Sequence, residues 1–184
     1  VKLGYQQVFS QYLAIDVSDV SEQQLKQFAI SKITSLPDDW QADKGGWLEL
    51  LMSELIEPQL ALSGQPYIIY DFPASQAQLA KLHRSDDGAV VAARFEVYAR
   101  GLELANGYDE CLDANELSQR FAKDNLIRQR QGKAMMPMDQ NLIAAVNAGL
   151  PACTGVAIGV DRLLMLKLGV NDINAVSSFR FEQS

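Results

Sequence analysis

The chain has 184 residues, 48% of them apolar, and a formal net charge of -7. That is enough apolar mass for one ordinary hydrophobic core, and the acidic balance argues against a broad phosphate-binding surface, so a tRNA partner is not indicated. No run of about 18 apolar residues is present, and Val1 to Tyr5 has neither a basic region nor an apolar signal core, so a soluble cytoplasmic protein of one domain, residues 1–184, with no membrane association is the expectation.

The spacing of apolar residues predicts helices over Tyr5 to Leu13 and Ser21 to Ile33, both at the surface, with Ser21 as N-cap of the second. After the polar stretch from Pro37 to Gly46, Trp47 to Leu60 reads as an amphipathic helix whose last turn Pro58 disturbs. Pro66 to Pro73 is a short apolar run bounded by prolines, expected as a buried strand ending in a turn. His83, the only histidine, lies in the polar run His83 to Gly88 and is expected in a loop. A single histidine leaves no basis for Ser/His/Asp or multi-histidine metal chemistry. Cys111 and Cys153 lack CxxC spacing and read as buried reduced thiols.

Two runs of period-two character, Val90 to Ala99 and Leu102 to Glu110, flank Arg100-Gly101 and predict an antiparallel hairpin. Helices follow over Asn115 to Gln131, closed by Gly132, and Asp139 to Ala148, closed by Gly149. Gly155 to Val160 is strand-like, Asp161 to Leu168 is helical up to Gly169, and Val176 to Phe181 is expected as a last strand. The order of elements points to an α+β fold, an antiparallel sheet with flanking helices.

With a two-residue turn at Arg100-Gly101, Ala99 faces Leu102, Tyr98 faces Glu103 and Val97 faces Leu104. Glu96, Tyr98 and Glu103 then share a sheet face, and the two glutamates are diagonal neighbours with Cβ atoms about 7 Å apart. Two rigidly held carboxylates suit Mg²⁺ carrying nucleotide phosphates. The alternative is a solvated face on which both are surface charges. Asn106, Tyr108 and Glu110 fall on the opposite parity, and a bulge near Gly107 would return them to the same cavity, where a carboxylate, an amide and an aromatic wall suit a cationic amine.

Glycine within a strand costs stability, so Gly155 and Gly159 imply that something packs close to the backbone, a flat ligand such as adenine being one candidate and a crossing helix another. Arg162, in the first turn of the following helix, opposes the helix dipole there and calls for an anionic or nucleotide partner.

Phe95 to Tyr98, Gly101 to Glu110 and Gly155 to Arg162 together resemble the lysyl-tRNA synthetase subgroup of class II, the last block resembling its motif 3. Asp71 to Gln76, Phe121 to Asn125 and Asp139 to Leu142 extend the likeness over nearly the whole chain. Phe72-Pro73-Ala74-Ser75-Gln76 and Gly155-Val156-Ala157-Ile158-Gly159 are most similar to the paralogue type that joins beta-lysine to elongation factor P. The resemblance implies the C-terminal part of a class II catalytic domain, with motif 3 at residues 155–162 and motifs 1 and 2 lying before Val1. It further implies a ligase that activates lysine or beta-lysine with ATP and Mg²⁺ for transfer to elongation factor P, and a homodimer at full length; the alternatives are a fragment of a true lysyl-tRNA synthetase and a non-catalytic module that binds a ligand or partner. By resemblance, Glu96 and Glu103 hold Mg²⁺; Glu103, Leu104, Gly159 and Arg162 contact ATP; Arg162 and Glu103 serve catalysis; and Glu110, Asn106, Tyr108 and Ala157 receive the amino acid. Ala157 replaces the glycine usual in true lysyl-tRNA synthetases, and Tyr108 a phenylalanine. One added methyl reshapes a pocket wall by about 1–3 kcal/mol.

Overall fold

A computed structural model describes residues 1–37 and 40–179. Among them run β1 (Lys2–Gly4), α1 (Tyr5–Leu13), α2 (Glu22–Lys32), α3 (Lys44–Leu51), α4 (Glu57–Leu62), β2 (Tyr67–Pro73), β3 (Leu82–Arg84), β4 (Val90–Ala99), β5 (Leu102–Asp109), α5 (Ala114–Arg130), α6 (Gln140–Asn147), β6 (Thr154–Ile158) and α7 (Val160–Leu168). The sheet order is β1-β2-β4-β5-β6, with β3 beside β4. All pairings are antiparallel except β1 with β2, which is parallel. The α+β class therefore holds, on a mixed sheet.

Local chemistry explains most boundaries. Ser21 caps α2 by accepting from the Gln24 amide, with the Gln24 side chain returning to the Ser21 backbone. Pro58 does not end the helix expected over Trp47 to Leu60. A π-helical turn, Met52–Ile56, follows α3 and leads directly into α4, with Pro58 in that helix's first turn. Gly169, at φ 68°, ends α7 in the left-handed conformation.

Three expectations are corrected. His83 lies in β3, not in a loop, and its Nε2 is 2.9 Å from Asp71 Oδ1. Asp71 itself stands at φ 57° where the β2–β4 register shifts, and that bulge aims its carboxylate at the histidine. Cys111 is buried, but Cys153 is exposed in the loop before the edge strand β6. The last strand expected over Val176 to Phe181 is absent through Phe179, which follows a short 3-10 turn (Ile173–Ala175) as turn and bend; Arg180 and Phe181 lie outside the described residues.

The helices α1 to α4 pack on one face of β2 and β4. Val8 and Phe9 of α1 are fully buried, more than a surface helix implies, and join Trp47, Leu51 and Ile56 over Ile69 and Tyr98. A smaller cluster of Cys111, Ala114, Leu117 and Val146 holds α5 and α6 together. At the other end, Val156, Ile158, Leu163 and Leu168 leave apolar surface exposed on β6 and α7.

Candidate functional site

The hairpin turn forms as its sequence requires. Arg100 at φ 51° and Gly101 at φ 77° are both left-handed, the demand of a two-residue type I′ connection. Gly101 has a second constraint: a Cβ there would lie 3.0 Å from the Ala61 Cβ on α4, so only glycine lets the turn approach that helix.

Ala99 faces Leu102 and Tyr98 faces Glu103, as expected. The register then shifts: Val97 faces Ala105 rather than Leu104, so Leu104 is the extra residue of a bulge. The bulge thus lies three positions earlier than Gly107, with the consequence that a bulge near Gly107 was expected to have. Beyond it Glu96 faces Asn106 and Arg94 faces Tyr108. Directly paired residues project to the same side of a sheet, so Arg94, Glu96, Tyr98, Glu103, Asn106 and Tyr108 share one face. Gly155 faces Tyr108 and Ala157 faces Asn106, which places both on that face too. Gly107 is required for another reason: a Cβ there would meet the Phe95 ring at 2.6 Å and the Gly155 carbonyl oxygen at 2.9 Å.

This face is not the solvated one. Glu96 is 6% and Arg94 8% exposed, because α1, α3 and α4 cover that side of β4. Glu96 Oε1 accepts from Arg94 Nη2 and from Asn106 Nδ2 at 3.2 Å, and its Oε2 accepts from the Tyr98 hydroxyl. Burial, then the neighbouring Glu96 charge, pushes the Tyr98 phenol well above its usual range, so it stays protonated and donating. Tyr108 donates its hydroxyl to Gln78 Oε1. Glu103 is half-buried; burial and then Glu96 raise its pKa, which Arg162 opposes.

Glu57, on α4, completes an acidic group that residue spacing did not disclose. Burial, followed by the charges of Glu96 and Glu103, raises its pKa from the ordinary 4.5 to about 6. The native state thus holds a proton that the unfolded chain has released, so stability declines as pH rises from about 4.5 through about 6. Glu57→Gln is expected to flatten that decline, measured as Tm against pH without divalent cations. An unchanged slope would place the titration elsewhere.

Arg162 bridges α7 and β5: its Nη1 donates to the Glu103 carbonyl at 2.6 Å and lies 3.8 Å from Glu103 Oε2. Its side chain, 47% exposed, leaves the guanidinium plane accessible. The Gly159 amide donates to the Leu104 carbonyl at 2.9 Å, so the two backbone groups expected to meet the nucleotide pair with each other. The close approach anticipated at the two glycines is made by the chain's own side chains. A Cβ on Gly159 would lie 3.3 Å from Arg162 Cδ, and one on Gly155 would collide with Glu110 Oε1.

Glu110 is thereby located over Gly155 on the site face, and burial, then Asp109, raises its pKa. Gly155→Ala is expected to fold, because the clash is with the end of a flexible side chain, and to displace the Glu110 carboxylate. A crystal structure of the variant checks this, and a Glu110 carboxylate left in place would show that Gly155 does not set its position. Ala157 is exposed on the open part of the face.

As a test for Mg²⁺, the donors are hard oxygens, as that ion prefers, and the charge of Glu96 adds to burial in raising the pKa of both Glu57 and Glu103, a repulsion that a cation relieves. No group of three or more His, Cys, Asp or Glu converges on one point among the described residues. A magnesium ion here would therefore take few protein ligands, with phosphate and water supplying the rest. The exposed Arg162 guanidinium beside the β5 backbone provides a flat surface suited to a base.

Of the expected residues, Glu96, Glu103, Asn106, Tyr108, Glu110 and Ala157 are brought to one face, with Arg162 and Gly159 at its β6–α7 margin. Arg94 and Glu57 were missed. Arg94 was detectable, since it shares the parity of Glu96 in β4.

The profile of the tRNA synthetases class II (D, K and N) matches residues 12–183. The elongation factor P--(R)-beta-lysine ligases of Salmonella paratyphi B, Salmonella heidelberg and Salmonella enteritidis are each 44% identical to the chain over 182 residues, 99% of its length and 55% of theirs. The chain thus spans about half the length of the curated relatives it matches. With a profile match over nearly all its residues and relatives at this identity, the chain belongs to the class II tRNA synthetase family of the D, K and N type.

Proposed function

We propose that this chain forms part of an ATP-dependent ligase that activates lysine or beta-lysine as an adenylate and transfers it to a lysine of elongation factor P. The observation that carries the reading is the single sheet face on which the Leu104 bulge assembles Glu96, Glu103, Asn106 and Tyr108, with Glu110 and Arg162 at its margins. Relatives at 44% identity carry the name elongation factor P--(R)-beta-lysine ligase, which supports the reading.

In the first step a carboxylate oxygen of the amino acid attacks the α-phosphorus of ATP; a phosphorus–oxygen bond forms, the bond to the bridging oxygen breaks, and pyrophosphate leaves. In the second, a lysine ε-amine of the acceptor attacks the acyl carbon, AMP leaves and the amine proton passes to solvent. A bound Mg²⁺ would neutralise phosphate charge, and Glu103 would hold it; Glu96, expected as a second ligand, is instead taken up by Arg94, Tyr98 and Asn106. Arg162 stacks on the adenine and keeps the Glu103 backbone in place through its hydrogen bond to that carbonyl. Glu110 binds the substrate amine, Tyr108 walls the pocket, and Ala157 narrows it relative to glycine. No side-chain nucleophile is required, so catalysis is positioning and charge neutralisation. Groups that contact the α-phosphate come from the length of the relatives that this chain does not span. The net charge of -7 favours a protein acceptor over tRNA. We place the full-length enzyme in the cytoplasm, as a homodimer.

Pyrophosphate exchange by the full-length protein with each lysine isomer, followed by transfer to elongation factor P or to tRNA, tests the reading. Exchange with beta-lysine and transfer to the protein acceptor are expected. Exchange with neither isomer would overturn it, and transfer to tRNA alone would make the protein a true synthetase. Isolated residues 1–184 are expected to bind ATP weakly and to form no adenylate. Robust exchange by that fragment would refute the half-site assignment.

A further inference from the structure

Arg94 has no place among the residues expected to meet substrate, yet it is held by three hydrogen bonds and buried almost as fully as Glu96. It is 8% exposed, with its guanidinium 4.3 Å from the Phe72 ring centroid and 6.0 Å from that of Tyr108. Nη1 donates to the Gln76 carbonyl at 2.8 Å, Nη2 to Glu96 Oε1 and Nε to Asn106 Oδ1 at 3.3 Å. One rigid fork thus ties the segment after β2 to β4 and β5, and its donor directions are fixed by the planarity of the group.

Two consequences follow for the neighbours. With its oxygen on Arg94 Nε, the Asn106 amide has one orientation, and its nitrogen faces Glu96 Oε1 at 3.2 Å. Its only acceptor therefore faces a cation, which disfavours an ammonium group there by like-charge repulsion. Glu96, holding donors from Arg94, Tyr98 and Asn106, is likewise committed. Glu110 lies across the face over Gly155, and no side-chain hydrogen bond engages its carboxylate among the described residues.

We propose that Arg94 is a positioning residue that locks the Asn106 amide and the Glu96 carboxylate in one arrangement, and so directs the substrate amine to Glu110. The inference rests on the proposed amino-acid activation. Arg94 acts through Asn106 and Glu96 and touches no substrate atom itself. Lysine at this position keeps the charge but cannot hold three acceptors in one plane, so it should release the lock while leaving the buried charge paired.

The test uses the full-length protein, with Arg94→Lys, Asn106→Ala and the double variant, read as KM for the amino acid, KM for ATP and Tm. Arg94→Lys is expected to raise the amino-acid KM about 10-fold to 100-fold, by analogy with the loss when a group that orients a metal-binding side chain is removed. The double variant should be no worse than about the poorer single, because both changes break one network. A purely structural role would lower Tm and the active fraction while leaving both KM values unchanged, and that result overturns the proposal, as do additive losses. Should Arg94→Lys fail to fold, a structure of the wild-type protein with its amino acid decides. The amine on Glu110 with the Asn106–Arg94 bond intact supports the lock, and the amine on Asn106 Oδ1 refutes it. A wild-type protein that activates no lysine isomer refutes the underlying function instead.

Discussion

Glu96→Ala is expected to destabilise the full-length protein by about 3–5 kcal/mol, the cost of removing one partner of a buried ion pair. The reason is burial and not the pair as such. Arg94 and Glu96 are each less than a tenth exposed, and the carboxylate also accepts from Tyr98 and Asn106. Truncation leaves a guanidinium, a phenol and an amide without their acceptor in a region that helices α1, α3 and α4 close to water. Glu96→Gln keeps one acceptor oxygen and the volume, so its cost should be smaller. Urea unfolding at neutral pH measures both, and a loss under about 1 kcal/mol for the alanine variant would mean that water enters and replaces the carboxylate. Adenylate formation by Glu96→Ala is expected to fall as well, but the stability measurement separates that loss from simple unfolding.

Arg162→Ala should behave in the opposite manner, with a large loss of activity and little change in stability. The side chain is 47% exposed and its ion pair with Glu103 spans 3.8 Å, a geometry that contributes little to folding. Its functional burden is greater on the proposed reading, because it holds the Glu103 backbone at 2.6 Å and would present a cationic plane to the nucleotide. Loss of one preorganised charged contact costs about 10²-fold to 10³-fold in rate. The variant is therefore expected to lower kcat/KM in pyrophosphate exchange by that factor, with Tm within a few degrees of wild type. Arg162→Lys should recover little, since an ammonium neither stacks on a base nor reaches the carbonyl in the same plane. A loss of under about fivefold for Arg162→Ala would remove this residue from the nucleotide site.

Several elements were legible because their determinants are local. The bounds of α1, the Ser21 cap, the Arg100-Gly101 turn and the Gly169 stop depend on residues within a few positions of one another, and all form where their spacing implied. Pro58 was legible as a disturbance but not as the start of α4, since a proline is compatible with the first turn of a helix as well as with the end of one. The three-residue strands β1 and β3 left no signal, because pairing across the sheet, and not propensity, defines elements so short. His83 was read as a loop residue for the same reason.

The family, the hairpin, the glycine strand leading into α7 and the chemical identities on offer, namely carboxylates, an amide, an aromatic ring and an arginine, can all be read along the chain. How these groups meet depends on packing. A bulge at Leu104 has no side-chain signature, because it is imposed by pairing β5 with β4 on one side and β6 on the other. Alternation showed that Glu96 and Glu103 share a face but not that helices cover it, and that covering turns Glu96 from a surface charge into the centre of a closed network with Arg94. Glu57, nearly forty positions before Glu96, joins the group only because α4 packs against the hairpin turn at Gly101. Period and spacing report which side a residue takes, whereas burial and long-range packing set its charge, its partners and its availability to a substrate.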